Sequence, residues 1–201
     1  MGRKSLKEIR RKEIINAFYN VSIKEGLENS SISKVAKEMD INPSLVMHYF
    51  NTKEDLIFGL INFILERYKS IYTGEADVVD IQSKLTNVIN NIFSRKWNTY
   101  IDDGVFYSCF SLIFRSKNIK AEFMKVHEYL RHELMLVIKQ ANDEGAIHIN
   151  STPKELADLI YIMVEGSYYY LSLFEDNQES MDKLKSYRKT AFSLLKLENV
   201  N

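Results

Sequence analysis

The chain has 201 residues, 45% of them hydrophobic, and its 27 basic and 27 acidic side chains cancel to a net charge of zero. That length leaves room for one large domain or a small one fused to a larger one, with enough apolar content for a sizeable core. Zero net charge excludes bulk charge as the basis of nucleic-acid binding and leaves only local patches, and no stretch reaches the roughly 20 apolar residues of a membrane span.

Seven Gly and two Pro are few for this length, which favours a mostly helical chain. The single cysteine, Cys109, cannot form an internal disulfide, so a reducing compartment is its natural home. The opening MGRKSLKEIRRKEII is basic but no apolar run follows it, unlike a secretory signal. The expectation is a cytoplasmic protein.

In chain order, the first helix runs from Ser5 to about Lys24, with Ile14, Ala17, Phe18 and Val21 at helical spacing. Gly26-Leu27 reads as its stop, Gly taking the left-handed position and Leu folding back. Ser30 or Ser31 caps a short second helix carrying Ile32, Val35 and Ala36, which breaks at Met39-Asp40-Ile41. Asn42 caps a third, with Pro43 at its first position, where the missing N–H costs nothing. It runs only to about Tyr49. Asn51 or Thr52 caps the fourth, through a capping box with Glu54 or Asp55 respectively. That helix bears Leu56, Leu60, Phe63 and Ile64 and ends near Gly74. Five more helices follow, at about 77–98, 101–115, 118–145, 152–175 and 178–197. Thr152-Pro153-Lys154-Glu155 is a capped start. No sustained period-2 alternation suggests a strand.

Two short helices joined by a tight turn and flanked by longer ones form a helix-turn-helix. The second, Asn42 to Tyr49, is too short to fold alone and must be braced by its neighbours. Leu45 and Phe50 are the expected buried residues. Ser44, His48 and Tyr49 can then hydrogen-bond bases or phosphates, and Met47 can pack on a thymine methyl. Lys53 sits beside the free N–H groups of the fourth helix, where a phosphate fits. Arg3, Lys4, Lys7, Arg10, Arg11 and Lys12, against only Glu8, make a basic arm able to reach phosphates or the minor groove.

This segment resembles the TetR family of bacterial transcription regulators. The family's pattern is Thr, three residues, Ile-Ala, two residues, Ala-Gly-Val-Ser, then a short helix ending in Tyr-x-His/Tyr-Phe, two residues, Lys, two residues, Leu. Here it reads Ser31, Val35-Ala36, Met39-Asp40-Ile41-Asn42, Met47-His48-Tyr49-Phe50, Lys53 and Leu56. The match covers roughly residues 8–62. Asp40 stands where the turn Gly is usual, and Met47 where the first Tyr is usual. The resemblance implies that Ser31, Asn42, Ser44, Met47, His48, Tyr49 and Lys53 face DNA, with Met47 on an apolar base edge.

The remaining two thirds carry no catalytic spacing. In HEYLRHE, His127 and His132 are five apart, about 140° off a shared face, so a zinc helix is not expected. Cys109 sits among Phe106, Tyr107 and Phe110 and reads as a buried, inert thiol. Aromatics are concentrated here: Trp97, Tyr100, Phe106, Phe110, Phe114, Phe123 and Tyr129, then Tyr161, Tyr168, Tyr169 and Tyr170. Core packing is the default for each, but clustered tyrosine hydroxyls need partners and often border a cavity or interface. The resemblance implies an effector pocket among these helices, and the candidates to line it are Trp97, Phe106, Phe110, Phe114, Tyr129, Tyr161, Glu165 and Tyr168. Glu165 is costly to bury alone. Either it bonds a tyrosine or arginine, or it meets a cationic ligand beside aromatic faces.

The eighth helix has two faces. Leu159, Ile162, Met163, Gly166, Tyr169 or Tyr170, and Leu173 form one, with Gly166 allowing close approach of another helix. With Tyr187 and Leu194 of the ninth helix, the residues Ile162, Gly166, Tyr169 and Leu173 are the expected contacts of a four-helix dimer bundle. Tyr161, Val164, Glu165, Tyr168 and Leu171 form the other face.

The expectation is therefore an all-α protein of about nine helices. An N-terminal three-helix helix-turn-helix unit (1–52) would bind DNA, and a larger helical bundle (53–201) would bind the effector and dimerise. The resemblance implies a repressor that binds a palindromic operator as a homodimer, with recognition helices ~34–36 Å apart. A small, largely apolar or aromatic/cationic effector between the fifth and eighth helices would shift the fourth and release DNA. The alternative is a regulator with no small effector, controlled by a protein partner or by redox state. No enzyme activity, metal, cofactor or membrane partner is expected.

Overall fold

The computed structural model describes residues 3–73, 80–94, 101–175 and 177–197. Nine α-helices and no strand lie among them: α1 Arg3–Glu25, α2 Ile32–Glu38, α3 Pro43–Tyr49, α4 Lys53–Thr73, α5 Ile81–Ile92, α6 Asp103–Ser111, α7 Lys117–Asp143, α8 Pro153–Leu171 and α9 Asn177–Leu195. The all-helical class and the helix order follow the sequence reading. α6 ends earlier than expected, because Leu112–Phe114 tighten into a 3-10 turn. α5 is capped by Asp80, whose side chain accepts from the Ser83 N–H at 2.8 Å.

The starts and stops are those a chain with few breakers needs. Gly26 takes φ +82 and closes α1, its N–H donating to the Ser22 carbonyl at 3.0 Å, and Leu27 folds back into the core. Ser31 rather than Ser30 caps α2, accepting from the Lys34 N–H at 3.3 Å. The Ser30 hydroxyl instead donates to the Gly26 carbonyl. Asp40 takes φ 51 at the end of α2. The Ile41 N–H then reaches back to the Ala36 carbonyl at 3.0 Å, a Schellman closure that needs one left-handed residue. Thr52 and Asp55 form the capping box of α4 by donating backbone N–H groups to each other's side chains at 3.0 and 3.1 Å. Thr152 and Glu155 do the same for α8.

The helices make two compact units. One comprises Met1–Arg67 with Ile101–Val126; the other comprises Tyr68–Tyr100 with His127–Asn201. Residues 53–67 and 101–126 belong with the helix-turn-helix, so the first unit is larger than the 1–52 segment. Its core holds Ile14, Phe18, Val35, Ala36, Val46, Phe50, Leu56 and Leu60. At Gly59 a Cβ would lie 2.4 Å from Ile15 Cδ1 and 3.2 Å from the Phe50 ring, so a larger residue there would have to displace the Ile15 side chain where α4 packs on α1. The second unit is cored by Leu85, Ile89 and Ile92 of α5, Leu130, Leu134 and Ile138 of α7, Ala157, Ile160 and Val164 of α8, and Leu184, Ala191 and Leu195 of α9. Each buried Leu, Ile, Val or Phe among them contributes about 1.5–3 kcal/mol over its exposed state.

Candidate functional site

α3 has seven residues and cannot stand alone. Three devices hold it. Asn42 starts it, its Oδ1 accepting from the Ser44 N–H at 2.9 Å and from the Ser44 hydroxyl at 2.8 Å. Val46 and Phe50, four apart and both buried, pin one side. Arg11 of α1 closes the far end: its Nη1 donates to the Tyr49 carbonyl at 2.6 Å, and its guanidinium lies 4.1 Å from the Phe50 ring centroid. Arg11 therefore satisfies an orphan C-terminal carbonyl and complements the helix dipole there.

This corrects the sequence reading on one point. Leu45, expected inside with Phe50, is 37% exposed, and Val46 takes the buried place. Positions i and i+4 share a face, whereas Leu45 lies a further 100° round. The outer side then carries Ser44, Met47 and His48, Met47 being 50% exposed. Tyr49 is half-buried, its ring edge-on to His48 with centroids 5.1 Å apart.

Ser31 is half-buried, its hydroxyl used as the α2 cap. Lys53 Nζ donates to the Glu28 carbonyl at 2.8 Å. An ammonium has three protons, so two donors remain for a phosphate. α1 already begins at Arg3, so the basic stretch expected as an arm forms its first turns. The side chains of Arg3 and Lys4 lie outside the described residues. Ion pairs Lys24–Glu38 (2.6 Å) and Lys34–Glu25 tie α2 to α1.

The residues expected to line an effector pocket divide between the two units. In the first, Phe106 and Phe110 gather round Phe123, with centroids 6.0 and 5.7 Å away. Phe114, edge-on to Phe110 at 6.3 Å, is 82% exposed. It is the last residue of the Leu112–Phe114 3-10 turn. In the second unit, the Tyr168 hydroxyl is bonded to the Ile92 and Ser94 carbonyls at 2.8 and 2.7 Å, which ties off the end of α5. Tyr129 is half-buried. Trp97 lies outside the described residues.

Tyr161 and Glu165, one turn apart on α8, meet His127 of α7. His127 Nδ1 is 2.6 Å from the Tyr161 hydroxyl and 3.9 Å from Glu165 Oε2, and Tyr161 also hydrogen-bonds Glu165. Burial raises the Glu165 carboxyl to about 7, against the smaller opposing effect of the Tyr161 hydrogen bond. Burial also lowers the His127 pKa and raises that of Tyr161, keeping the imidazole and the phenol neutral. Arg131 binds Asp158 and Glu128, each at 2.5 Å. Sequence reasoning took Glu165 and Tyr161 but missed His127, which entered only as half of a rejected zinc pair. Its partner is 34 residues on, a distance that helical spacing does not bridge. Among the described residues no His, Cys, Asp and Glu group could hold a metal ion. Cys109 is fully buried and burial pushes its thiol up to about 12, so it is unreactive.

A second face of α8, continued just past its end, is open. Ile162 is 67% exposed, Leu173 64% and Tyr169 60%, and nothing lies within 4 Å of a Cβ built on Gly166. Tyr187 and Leu194 of α9 are half-buried. A recess of about 210 Å³ is lined by Met163, Gly166, Ser167, Tyr170 and Tyr187. No helix among the described residues is long and apolar enough to cross a membrane.

Residues 14–60 match the family described as bacterial regulatory proteins, tetR family, and residues 80–197 match the tetracyclin repressor-like C-terminal domain. The chain is 23% identical over 161 residues to the HTH-type transcriptional regulator PksA of Bacillus subtilis, covering 79% of this chain and 77% of that protein. It is 31% identical over 75 residues to the HTH-type transcriptional regulator BetI of Vibrio parahaemolyticus, covering only 37% of this chain and 38% of that protein. The fold is similar to a TetR transcription regulator from Haloarcula marismortui, with a TM-score of 0.79 at 20% identity over 94% of this chain and 97% of that one. It is also similar to a putative transcriptional regulator from Saccharomonospora viridis solved with choline, with a TM-score of 0.74 at 12% identity over 92% of this chain and 96% of that one.

Proposed function

This chain belongs to the TetR family of bacterial transcription regulators, and from that premise we propose that it is a repressor which binds a palindromic operator as a homodimer and is released by a small effector. It regulates transcription; operator, dimer, repression and effector are the parts proposed. The observation that carries the DNA reading is the division of α3. Val46 and Phe50 are turned in, while Ser44, Met47 and His48 are exposed on a helix capped at both ends. A helix that gives its apolar contacts to the fold and presents polar groups and one thioether outward suits the major groove. His48 and Tyr49 would hydrogen-bond bases or phosphates, Lys53, Arg3 and Lys4 would meet phosphates, and Ser31 and Asn42 would lie alongside the backbone. Residues 1–52 would be the DNA-binding segment and 53–201 the effector and dimer segment, acting in the cytoplasm where the operator is.

The open face of α8 supports the dimer. Ile162, Gly166, Tyr169 and Leu173, with Tyr187 and Leu194, would meet their copies, and the small Gly166 would let the two α8 helices approach. The effector would be small and largely apolar or aromatic/cationic, with Trp97, Tyr129, Tyr161, Glu165 and Tyr168 as the candidates to hold it. It must bind the DNA-incompetent state better than the competent one.

The test is a fluorescence-anisotropy titration on an operator selected from fragmented genomic DNA. His48→Ala is expected to weaken binding by about 1–3 kcal/mol with unchanged helical content. Met47→Tyr is expected to change the preferred base at one position of each half-site. Unaltered affinity and sequence preference in both variants would remove α3 from the interface.

A further inference from the structure

Two helix faces of the first unit leave a space between them that the DNA reading does not use. Residues 11–16 of α1 and 59–67 of α4 contribute its lining side chains at three- and four-residue spacing, one face of each helix. Between them, with Phe50 at the end of α3, lies a cleft of about 490 Å³. That is within the roughly 300–1,000 Å³ of small-molecule sites. Every lining residue belongs to the first compact unit. Ile15 and Phe50 are buried and form the floor, and half-buried Phe63 gives an aromatic wall that solvent reaches.

The cleft carries an excess of positive charge. Arg11, Lys12 and Arg67 line it against a single acid, Glu66. Arg67 stacks on Phe63 at 4.1 Å and reaches the Tyr19 ring at 5.4 Å, so its guanidinium is part of the wall. Arg11 lies 4.1 Å over the Phe50 ring and gives one Nη1 proton to the Tyr49 carbonyl. A guanidinium has five N–H donors, so most of them remain for an anion. The Lys12 carbonyl accepts from Asn16 Nδ2 at 3.1 Å, and its ammonium makes no hydrogen bond or ion pair among the described residues. Arg11 and Lys12 are therefore the groups able to take a charge that the fold does not supply.

We propose that the α1/α4 cleft binds a small aromatic carboxylate, its ring on Phe63 above the floor and its carboxylate on Arg11 and Lys12. A phosphodiester would meet the same two cations but leave the aromatic wall uncovered. A neutral ring would cover the wall but leave the cations unanswered. An aryl carboxylate does both, and a guanidinium can hold a carboxylate through two parallel N–H bonds. The site is distinct from the effector site proposed above, none of whose candidate residues line it. On the DNA reading above, occupancy also bears on α3. Arg11 closes that helix at Tyr49, and a carboxylate there sets a negative charge beside the end that would approach phosphates. Ligand and operator then weaken each other by the same factor.

The probes are 2-naphthoate, 2-naphthamide and 2-naphthylmethylammonium, which share a ring system and differ in charge, titrated calorimetrically into the full chain at neutral pH. Naphthoate is expected to bind about tenfold more tightly than the amide, with the ammonium weakest. Lys12→Gln should lower naphthoate affinity by about fivefold and leave the amide nearly unchanged. Asn62→Trp, at an exposed position of the α4 lining, should fill the cleft and abolish binding of all three, with helical content unchanged by circular dichroism. Equal binding of the three probes, no binding of any, or naphthoate binding undiminished in either variant would each overturn the proposal. Operator affinity at saturating naphthoate is expected to fall by about threefold. Lys12-dependent naphthoate binding that leaves operator affinity unchanged would keep the cleft as a binding site and remove its link to α3.

Discussion

Glu165 shows how one side chain can couple a site to the stability of the whole fold. Its carboxyl titrates at about 7 when folded, against an ordinary value of 4.5. A raised acid binds more protons folded than unfolded, so its contribution is fully present below pH 4.5 and is lost as pH rises through 7. Glu165→Gln is neutral at every pH. It is expected to match the parent chain at pH 4.5 and to exceed it at pH 8 by an amount on the order of 2 kcal/mol, read from urea midpoints at the two values. An equal difference at both would mean that the folded carboxyl is not raised.

At the scale of an element, the helix-turn-helix is held by its ends more than by its length. α2 and α3 have seven residues each, below what an isolated helix needs. Ser31, Asp40, Asn42 and Arg11 therefore do what extra turns would do elsewhere. Asp40 is the informative one, at φ 51 where the family pattern has glycine. Asp tolerates this region better than most residues because its short polar side chain finds local partners. Asp40→Gly is expected to leave stability unchanged or raise it by about 0.5 kcal/mol, and Asp40→Val to lower it by about 1–2 kcal/mol. Thermal melts of the two variants check this, and a tolerated valine would count against the left-handed turn. α6 follows the same economy. Its cap Asp102 accepts from the Val105 N–H at 2.9 Å, and the Asp102 N–H is itself taken by the buried Tyr19 hydroxyl of α1 at 2.7 Å, one contact that joins residues 101–126 to the helix-turn-helix in the first unit.

At the scale of the whole molecule, the open α8 face is a stripe of large apolar residues that a monomer would leave in water. Ile162, Tyr169 and Leu173 are each more than half exposed, and such contiguous patches mark association. Ile162→Asp places a charge in the middle of the proposed interface. Size-exclusion with light scattering is expected to show half the parent mass at micromolar concentration. The same variant should lose operator affinity by two orders of magnitude or more, because a palindrome read by one half-site forfeits the second binding event. A variant that stays dimeric would place the interface elsewhere.

The nine helices of the described residues, the caps of α2, α3, α4 and α8 and the helix-turn-helix were legible in the sequence because they are written in local patterns: apolar residues at helical spacing, Ser, Thr or Asn before them, Gly or Asp after them. The Asp80 and Asp102 caps were not. The exposed side of α3 was legible for the same reason, apart from the exchange of Leu45 for Val46, since a seven-residue helix offers too few turns to fix its phase. Contacts between residues far apart in the chain were not legible. His127 meeting Tyr161 and Glu165, Arg11 closing α3 across 38 residues, and Tyr168 tying off α5 depend on which helices pack together. The 82% exposure of Phe114, in the 3-10 turn after α6, was not legible either. The sequence determined which helices form among the described residues, and most of their ends, because propensity and capping act within a few residues. Only the tertiary structure decided that Glu165, Tyr161 and His127 meet, because that depends on which helices packing brings together.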